Sequence, residues 1–273
     1  MSLLMSDAMA RLMDELRHEP IMKRIRARSG DRVVVDTTDA MLVYEPRRVS
    51  PMYAVPEPAI RAGLMPGGPV TPGRPGFLHP GIPFTVHSAP GESLSVDVDG
   101  RIHEDAAFRP ADPDLAGYVL LDFDAFDWLE EEEPVHAHPR SPYHRIDVRQ
   151  SSRHLQIADR GRPLVDTTRP VLLFETGLPV RFYVPREDVV AELRPGRTRS
   201  YCPYKGAATY FSTGDRDDVA WSYQDPLLDA TQIAGLVAFW DDVLEVTLDG
   251  VPQGRAETEG AKALREEFDV GAA

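Results

Sequence analysis

Short runs of apolar residues, separated by residues that favour turns, predict a mainly β protein. Residues 33–38 read Val-Val-Val-Asp-Thr-Thr and residues 163–168 read Pro-Leu-Val-Asp-Thr-Thr. Apolar, β-branched runs that end in such polar triplets are typical of short strands joined by turns. The 20 glycines and 25 prolines provide turns throughout the chain. We therefore expect many short antiparallel strands.

The N-terminal pattern is different and predicts an amphipathic helix within residues 1–22. Apolar residues recur there at helical spacing, and Pro20 ends the run. These residues are Met5, Met9, Leu12, Met13 and Leu16. We expect the helix to cover a sheet face or edge, with binding to a partner as the alternative. Residues 251–273 are charged and rich in Gly and Ala, which predicts a frayed helix or a disordered tail.

The chain repeats itself at an offset of 130 residues. Asp36 recurs as Asp166, and residues 41–45 match residues 171–175 at the same offset. Self-similarity over this length predicts two tandem domains rather than a short solenoid repeat. We place the first copy at residues 23–129, a linker at 130–145 and the second copy at 146–250.

One short helix is expected in each copy. In the second copy, Pro185 suits a first helical turn, and Glu187 and Asp188 suit the positive end of the helix dipole. Gly196 can end this helix.

Composition and charge restrict the classes of partner. A chain of 273 residues, 42% of them hydrophobic, can bury a sizeable core. Its formal net charge of −14 opposes binding to nucleic acid. The single cysteine excludes an intrachain disulfide and any zinc site with two thiolates. Since no apolar run approaches the ~20 residues that span a bilayer, we expect a cytoplasmic protein without membrane contact.

The segment most like a functional site is residues 201–206, Tyr-Cys-Pro-Tyr-Lys-Gly. Lys205 lies three residues after Cys202 and could lower the pKa of the thiol, which would make a nucleophile. A free cysteine is also a common small core residue. Alternatively, Lys205 with Tyr201 and Tyr204 could hold an anionic group through ammonium, hydroxyl and backbone donors.

Together with residues 220–223 (Ala-Trp-Ser-Tyr) and 235–240 (Gly-Leu-Val-Ala-Phe-Trp), this segment resembles domain-of-unknown-function family 427. That family also carries a nucleotidyltransferase label. The resemblance covers most of the chain and is strongest from Trp128 to Leu244. It implies the β-tent fold, in which two small antiparallel sheets are pitched against each other, as in the thalidomide-binding domain of cereblon, methionine sulfoxide reductase B and the yippee proteins.

Those relatives usually hold zinc with two Cys-x-x-Cys knuckles. Residues 202–205 resemble one knuckle, but Lys205 stands where the second thiolate would be, and the chain has no other cysteine. A structural zinc is therefore not expected, and the resemblance assigns no other cofactor.

Aromatic residues of the second copy predict a pocket. Trp221 and Tyr223 alternate on an expected strand, so both face one side. They could wall a pocket for a small polar or anionic organic ligand, with Lys205 and Tyr204 at its polar end; filling of the core is the alternative. Glu175 and Asp166 are expected to support the fold through hydrogen bonds. The counterpart region of the first copy, residues 79–84 and 105–108, lacks the Cys, Lys and Trp, which places the expected site in the second copy.

The linker adds two sets of candidates. Prolines on both sides of Arg140 and Tyr143 favour an extended backbone that presents these side chains to the same ligand. Pairing of Arg140 with the acidic residues 130–133 is the alternative. His136 and His138 share a face and could bind a metal with His144 or a glutamate, but exposed histidines beside an acidic run also fit a solvated linker.

Nucleotidyl transfer would need paired carboxylates for Mg²⁺ and a loop that holds the triphosphate. The pairs Asp97/Asp99 and Asp122/Asp124 have the carboxylate spacing, but neither follows a phosphate-binding Gly-rich loop. Small-molecule binding is therefore the first hypothesis. An enzyme that uses Cys202 or a metal is the second, and an interaction scaffold is the third. The sequence does not determine the oligomeric state.

Overall fold

The computed structural model describes residues 2–73, 76–257, 261–262 and 265–266. The chain forms two compact units, Met1–Ser141 and Pro142–Ala273. Short antiparallel strands dominate both units, so the predicted mainly β, two-domain class is confirmed. Much of the predicted C-terminal tail lies outside the described residues. No helix in the described part of the chain is long and apolar enough to cross a membrane.

The first unit contains a seven-stranded antiparallel sheet in the order β1-β4-β5-β11-β10-β9-β6, a four-stranded sheet in the order β13-β12-β2-β3, and a parallel pair, β7-β8. Its elements are α1 (Met5–Leu12), β1 (Arg17–Pro20), β2 (Ile25–Ser29), β3 (Arg32–Thr37), β4 (Met41–Tyr44), β5 (Met52–Pro56), the 3-10 helix η1 (Glu57–Ala59), β6 (Gly63–Pro66), β7 (Thr71–Pro72), β8 (Val86–His87), β9 (Gly91–Val98), β10 (Arg101–Pro110), η2 (Pro113–Leu115), β11 (Tyr118–Leu121), β12 (Asp127–Glu130) and β13 (Glu133–Val135).

The second unit contains a seven-stranded sheet in the order β14-β17-β18-β22-β21-β20-β19 and a four-stranded sheet in the order β16-β15-β23-β24. Its elements are β14 (Ile146–Gln150), β15 (Leu155–Asp159), β16 (Arg162–Thr167), β17 (Val171–Glu175), β18 (Arg181–Val184), η3 (Arg186–Asp188), β19 (Arg194–Cys202), β20 (Gly206–Thr213), β21 (Arg216–Tyr223), η4 (Leu228–Ile233), β22 (Val237–Phe239), β23 (Glu245–Leu248) and β24 (Val251–Pro252). Strand for strand, the seven-stranded order matches that of the first unit. The four-stranded order also matches when it is read in reverse, as β24-β23-β15-β16 against β13-β12-β2-β3.

The seven-stranded sheet of the second unit packs on both faces, because successive side chains of a strand point to opposite sides. On β18 and β21, Tyr183 and Trp221 belong to one apolar cluster, whereas Val184 and Ala220 belong to another. The second cluster includes residues of the four-stranded sheet such as Ile157. The first cluster is rich in aromatic side chains: Tyr183, Tyr210, Trp221, Tyr223 and Trp240.

Two helix expectations need correction. The helix predicted from Pro185 to Gly196 is a single 3-10 turn, η3, after which Val189 returns to extended backbone and β19 begins at Arg194. The β-branched residues after η3 favour strand conformation over a longer helix.

The N-terminal helix is also shorter than predicted. It ends at Leu12, and Arg17–Pro20 forms the edge strand β1 next to β4. Proline is tolerated there because an edge strand leaves one side of its backbone unpaired. None of the α1 residues is buried, so the expectation that this helix covers a sheet face is wrong.

Candidate functional site

A buried charge cluster lies at one end of the seven-stranded sheet in the second unit. Glu175 is the last residue of β17, and its side chain is only 5% exposed. The Lys205 ammonium donates to both carboxylate oxygens, with Nζ–Oε1 at 2.6 Å and Nζ–Oε2 at 2.5 Å. His144 Nε2 lies 2.9 Å from Glu175 Oε1. One carboxylate thus contacts two basic side chains, Lys205 and His144.

The backbone around Lys205 positions this side chain. Residues 202–206 form the tight turn between β19 and β20, with the Lys205 N–H donating to the Cys202 carbonyl at 3.2 Å. The Lys205 carbonyl accepts from Leu227 N at 3.1 Å, which ties the turn to the next segment. Gly206 closes the turn at φ +94°, a conformation that favours glycine.

The pairing changes the acidity of both groups. Burial alone would raise the pKa of Glu175, but the Lys205 charge and hydrogen bonds from His144 and Lys205 outweigh burial and lower the pKa to about 2. Burial alone would likewise lower the pKa of Lys205, yet the Glu175 charge raises this pKa above its usual value. Both groups are therefore charged at neutral pH.

Tyr183 and Tyr223 lie near this ion pair, and Tyr210 belongs to the same aromatic cluster of the core. Trp221 Nε1 donates to the Tyr183 hydroxyl at 3.1 Å, and the Tyr210 hydroxyl lies 2.9 Å from Ser200 Oγ. Burial raises the pKa of Tyr183 to about 12. Burial also raises the pKa of Tyr223 well above its usual value, and the nearby Tyr183 adds to this effect. Tyr183 and Tyr223 are therefore neutral hydrogen-bonding groups near pH 7.

Several donors of this region have no acceptor within the described part of the chain. The Tyr223 hydroxyl forms no hydrogen bond there, and the Tyr183 hydroxyl accepts one without donating. Lys205 uses two of its three N–H groups on Glu175. We call Glu175, Lys205, His144, Tyr183 and Tyr223 the Glu175 cluster.

Arg181 lies on the same face of the sheet. Its Nη1 donates to Asp241 and, at 3.2 Å, to Asp242. Its guanidinium stacks 5.2 Å from the ring centre of Trp240, whose centroid lies 4.7 Å from that of Trp221. Burial lowers the pKa of Arg181. Its Nη2 is buried without a hydrogen-bond partner among the described residues, which adds a further unpaired donor.

The structure brings several of the predicted site residues together. Trp221 and Tyr223 are only 6% and 5% exposed and belong to the aromatic cluster of the core. Tyr204 is buried and stacks on His144 with ring centroids 4.0 Å apart. Cys202 is free and half-buried beside this core.

Other candidates lie nearer the surface. Tyr201 is 38% exposed and Tyr143 is 64% exposed. Arg140 is half-buried and belongs to the first unit. Of the acidic residues 130–133, Glu130 pairs with Lys23 and Glu132 pairs with Arg26.

Three of the predicted metal ligands, His138, Asp97 and Asp122, contact nearby backbone groups. The His138 ring contacts the carbonyl of Pro139 at 2.7 Å, and His136 is exposed. Asp97 and Asp122 accept hydrogen bonds from the backbone N–H groups of Gly100 and Asp124, as turn residues do. No group of three or more His, Cys, Asp or Glu side chains suited to a metal occurs among the described residues.

Sequence reasoning assigned Glu175 only to support of the fold and missed Tyr183 and Arg181. A weak signal for Glu175 existed, since a glutamate ends the same apolar run in both units, as Glu45 and Glu175. A carboxylate that follows a buried strand is rarely buried unless a cation pairs with it. Tyr183 and Arg181 stand in an apolar strand pattern that carries no such signal.

The first unit builds a sheet of the same order with other residues. By strand register, each position of the site corresponds to a first-unit residue: Glu175 to Glu45, Tyr183 to Ala54, Tyr210 to Ser93, Trp221 to Phe108 and Tyr223 to Pro110. Only the glutamate is retained, and there it contacts Arg48 and His87. The tyrosine hydroxyls are therefore not needed to form this sheet.

Comparison with known protein families matches one region of the chain, which lies in the second unit. No curated protein matches the chain. One family model matches a segment that contains Glu175, Lys205 and the three tyrosines, whereas His144 lies outside that segment. The match covers residues 147–250, and the family is described as a domain of unknown function (DUF427).

Proposed function

We propose that the second unit binds a small polar organic molecule at the Glu175 cluster. The observation that carries this proposal is the concentration of hydrogen-bond donors without an acceptor around one ion pair. A buried donor without an acceptor costs about 1–3 kcal/mol. Arg181 Nη2 is such a donor among the described residues. Tyr183, Tyr223 and Lys205 add O–H and N–H groups for which no acceptor occurs there. An acceptor from outside the chain would satisfy them.

The chemistry of these groups defines the polar end of the ligand. Lys205 and Arg181 can only donate, and the Tyr183 and Tyr223 hydroxyls can each donate as well, so these groups favour an acceptor such as a carbonyl or carboxylate oxygen. Glu175 already balances the charge of Lys205. The ligand therefore does not need a full negative charge, and a neutral carbonyl compound fits as well as a carboxylate.

The aromatic side chains suit the remainder of such a ligand. Trp221, Trp240 and Tyr204 provide flat apolar surfaces next to the donors. Sites for small molecules commonly combine apolar walls with a few oriented polar groups.

This arrangement favours binding over thiol chemistry. A nucleophilic Cys202 would need a cation that stabilises its thiolate. Lys205 instead directs two donors to Glu175. Its charge is therefore largely compensated before it can act on the thiol.

We also infer that the two units descend from one duplicated β-tent-like domain. The equal strand orders and the 130-residue offset support this origin. Under this proposal, the second copy acquired the tyrosine hydroxyls and the lysine, while the first copy retained the fold and its buried glutamate.

Native mass spectrometry of the purified full chain tests the proposal directly. An organic mass that is present in the native protein and lost on denaturation would support it and supply the molecule. If the native and denatured masses agree, NMR with small probes decides between a weak site and none.

Acetate and acetamide are the smallest probes with carboxylate and amide carbonyl groups. We expect both to shift the ring signals of Tyr183 and Tyr223 in protein labelled with ¹³C-tyrosine. Tyr223→Phe removes one hydroxyl and should weaken probe binding about five- to tenfold, the effect of one hydrogen bond worth about 1 kcal/mol.

Tyr44→Phe is the matched control, because the Tyr44 hydroxyl lies 2.7 Å from Ser141 Oγ in the first unit. It should leave probe affinity unchanged. Equal affinity in wild type and Tyr223→Phe, or shifts confined to exposed Tyr143 and Tyr201, would refute the proposed site.

A further inference from the structure

A second polar site lies far from the Glu175 cluster within the second unit. Two hairpin turns, β15–β16 and β20–β21, border a cleft of about 440 Å³. We call it the arginine cleft; it is lined by Asp159, Arg160, Arg162, Gly214 and Asp215. Strand β20 separates it from the Lys205 turn by eight residues, or roughly 25 Å.

A buried carboxylate in the cleft contacts two arginines. The Asp159 side chain is 3% exposed and accepts a hydrogen bond from Arg216 Nε at 2.8 Å. The same carboxylate lies 3.6 Å from Arg162 Nη2. In the same cleft, Arg160 Nη1 pairs with Asp215 Oδ2 at 3.0 Å. Three guanidinium groups therefore surround two carboxylates.

A fourth arginine and a glycine complete the site. Arg194 Nη2 donates to the Gly214 carbonyl at 2.7 Å. Gly214 has φ +60°, and a Cβ at this position would overlap the Arg162 guanidinium. The absence of a side chain thus lets the Arg162 guanidinium lie directly against the turn.

Arginines are concentrated at the arginine cleft, although the whole chain carries a formal net charge of −14. Arg160, Arg162 and Arg216 face the carboxylates of Asp159 and Asp215, whereas Arg194 donates to the Gly214 carbonyl. A third carboxylate, Glu245, accepts from the Gly161 N–H at 3.2 Å.

Arg162 is the cation of this cluster with the most open donors. Its side chain forms no hydrogen bond with the described residues, since its 3.6 Å contact exceeds hydrogen-bond distance. A guanidinium has five N–H donors, and the Arg162 side chain is 54% exposed. These donors are therefore available to a ligand in the cleft.

We propose that the arginine cleft binds the phosphate group of a small soluble molecule. A phosphate monoester carries about −1.5 to −2 charges at pH 7, which the open guanidinium donors of Arg162 and its neighbours attract. Guanidinium groups bind phosphate oxygens through paired N–H donors. The cleft is open to solvent, so an organic group can extend outward from a bound phosphate.

The first unit provides a natural comparison. Its corresponding turns place Arg32 beside Asp99, with Nε–Oδ2 at 2.5 Å, and the residue in the position of Arg160 is Gly30. This arginine has its own carboxylate partner, so we expect no phosphate binding there. Arg32→Gln is thus a matched control for Arg162→Gln.

Titration of the full chain with inorganic phosphate tests this proposal. We expect saturable shifts in the Nε–Hε NMR signals of Arg160, Arg162 and Arg216 at low salt, with at least fivefold weaker binding of acetate. Arg162→Gln should weaken phosphate binding at least about tenfold, and Arg162→Lys, which retains the charge but not the paired donors, severalfold.

The control Arg32→Gln should change phosphate affinity less than about twofold. Shifts that do not saturate, equal affinity for acetate, or unchanged affinity in Arg162→Gln would each overturn the proposal. The Arg162 side chain is exposed, so neither Arg162 variant should disturb the fold. A backbone NMR spectrum that matches that of the wild type would verify this.

Discussion

Glu175→Gln is expected to lower the free energy of unfolding of the second unit by about 3 kcal/mol at pH 7 and by only a few tenths of a kcal/mol at pH 2. The Lys205 charge and the hydrogen bonds hold the pKa of Glu175 at about 2 against burial, compared with 4.5 for an ordinary glutamate. Each pKa unit corresponds to about 1.4 kcal/mol. The carboxylate is almost wholly buried, so solvent screens the pair little.

The sign follows from linkage between proton binding and folding. Since the folded-state pKa is lower than the unfolded one, the unfolded chain binds the proton more readily. The contribution of Glu175 is fully present above pH about 5 and is lost as the pH falls towards 2. Protonation of Glu175 and its replacement by glutamine both leave Lys205 without an anionic partner, so wild type and variant converge in acid.

Urea unfolding followed by ¹⁹F NMR of fluorotryptophan-labelled protein measures this effect by unit. Trp221 and Trp240 report the second unit, and Trp128 reports the first. Glu187→Gln is the control, because the Glu187 side chain is 67% exposed in its pair with Arg169. It should change stability by less than about 1 kcal/mol. A difference between wild type and Glu175→Gln that stays constant from pH 7 to pH 2 would contradict the assignment.

Trp221→Ala is expected to destabilise the second unit by about 3–5 kcal/mol, the usual effect of truncating a large core aromatic residue. The indole packs against Trp240 and donates to the Tyr183 hydroxyl. Its loss removes apolar contacts and leaves the Tyr183 hydroxyl with no hydrogen-bond partner among the described residues. Trp221→Phe should cost clearly less, because Phe108 occupies this position in the sheet of the first unit.

The same fluorine signals measure this effect through Trp240, with Trp128 as the internal reference. A loss below about 1 kcal/mol in Trp221→Ala would mean that this side chain contributes little to the core. Trp221 would then serve the ligand site alone. The predicted loss would instead show that it stabilises the unit while bordering the Glu175 cluster.

The repeated sequence pattern predicted much of the fold. The matching runs around Asp36 and Asp166 form corresponding strands, β3 and β16, in sheets of the same order. Alternation on β21 correctly predicted that Trp221 and Tyr223 share a face, because strand periodicity is local. The short α1 and the single turn η3 were less predictable, since marginal helices depend on packing beyond their own residues.

The candidate site was predicted only in part. Lys205 and Tyr204 were identified from a compact motif, and both lie in or beside the Glu175 cluster. Tyr183 and Arg181 were not, because their strand reads as ordinary apolar and polar alternation. The pairing of Glu175 with Lys205 was also not predicted, although both residues had been noted separately.

Local sequence thus determined the mainly β class, the two-unit organisation and the turn that carries Lys205, because turn chemistry and strand period depend on neighbouring residues. Only the tertiary structure decided which side chains meet. Glu175 and Lys205 are 30 residues apart, and Tyr183 and Trp221 are 38 apart. Their contacts depend on the strand order β17-β18-β22-β21-β20, which no short segment encodes. Burial there converts separate polar residues into a coupled cluster.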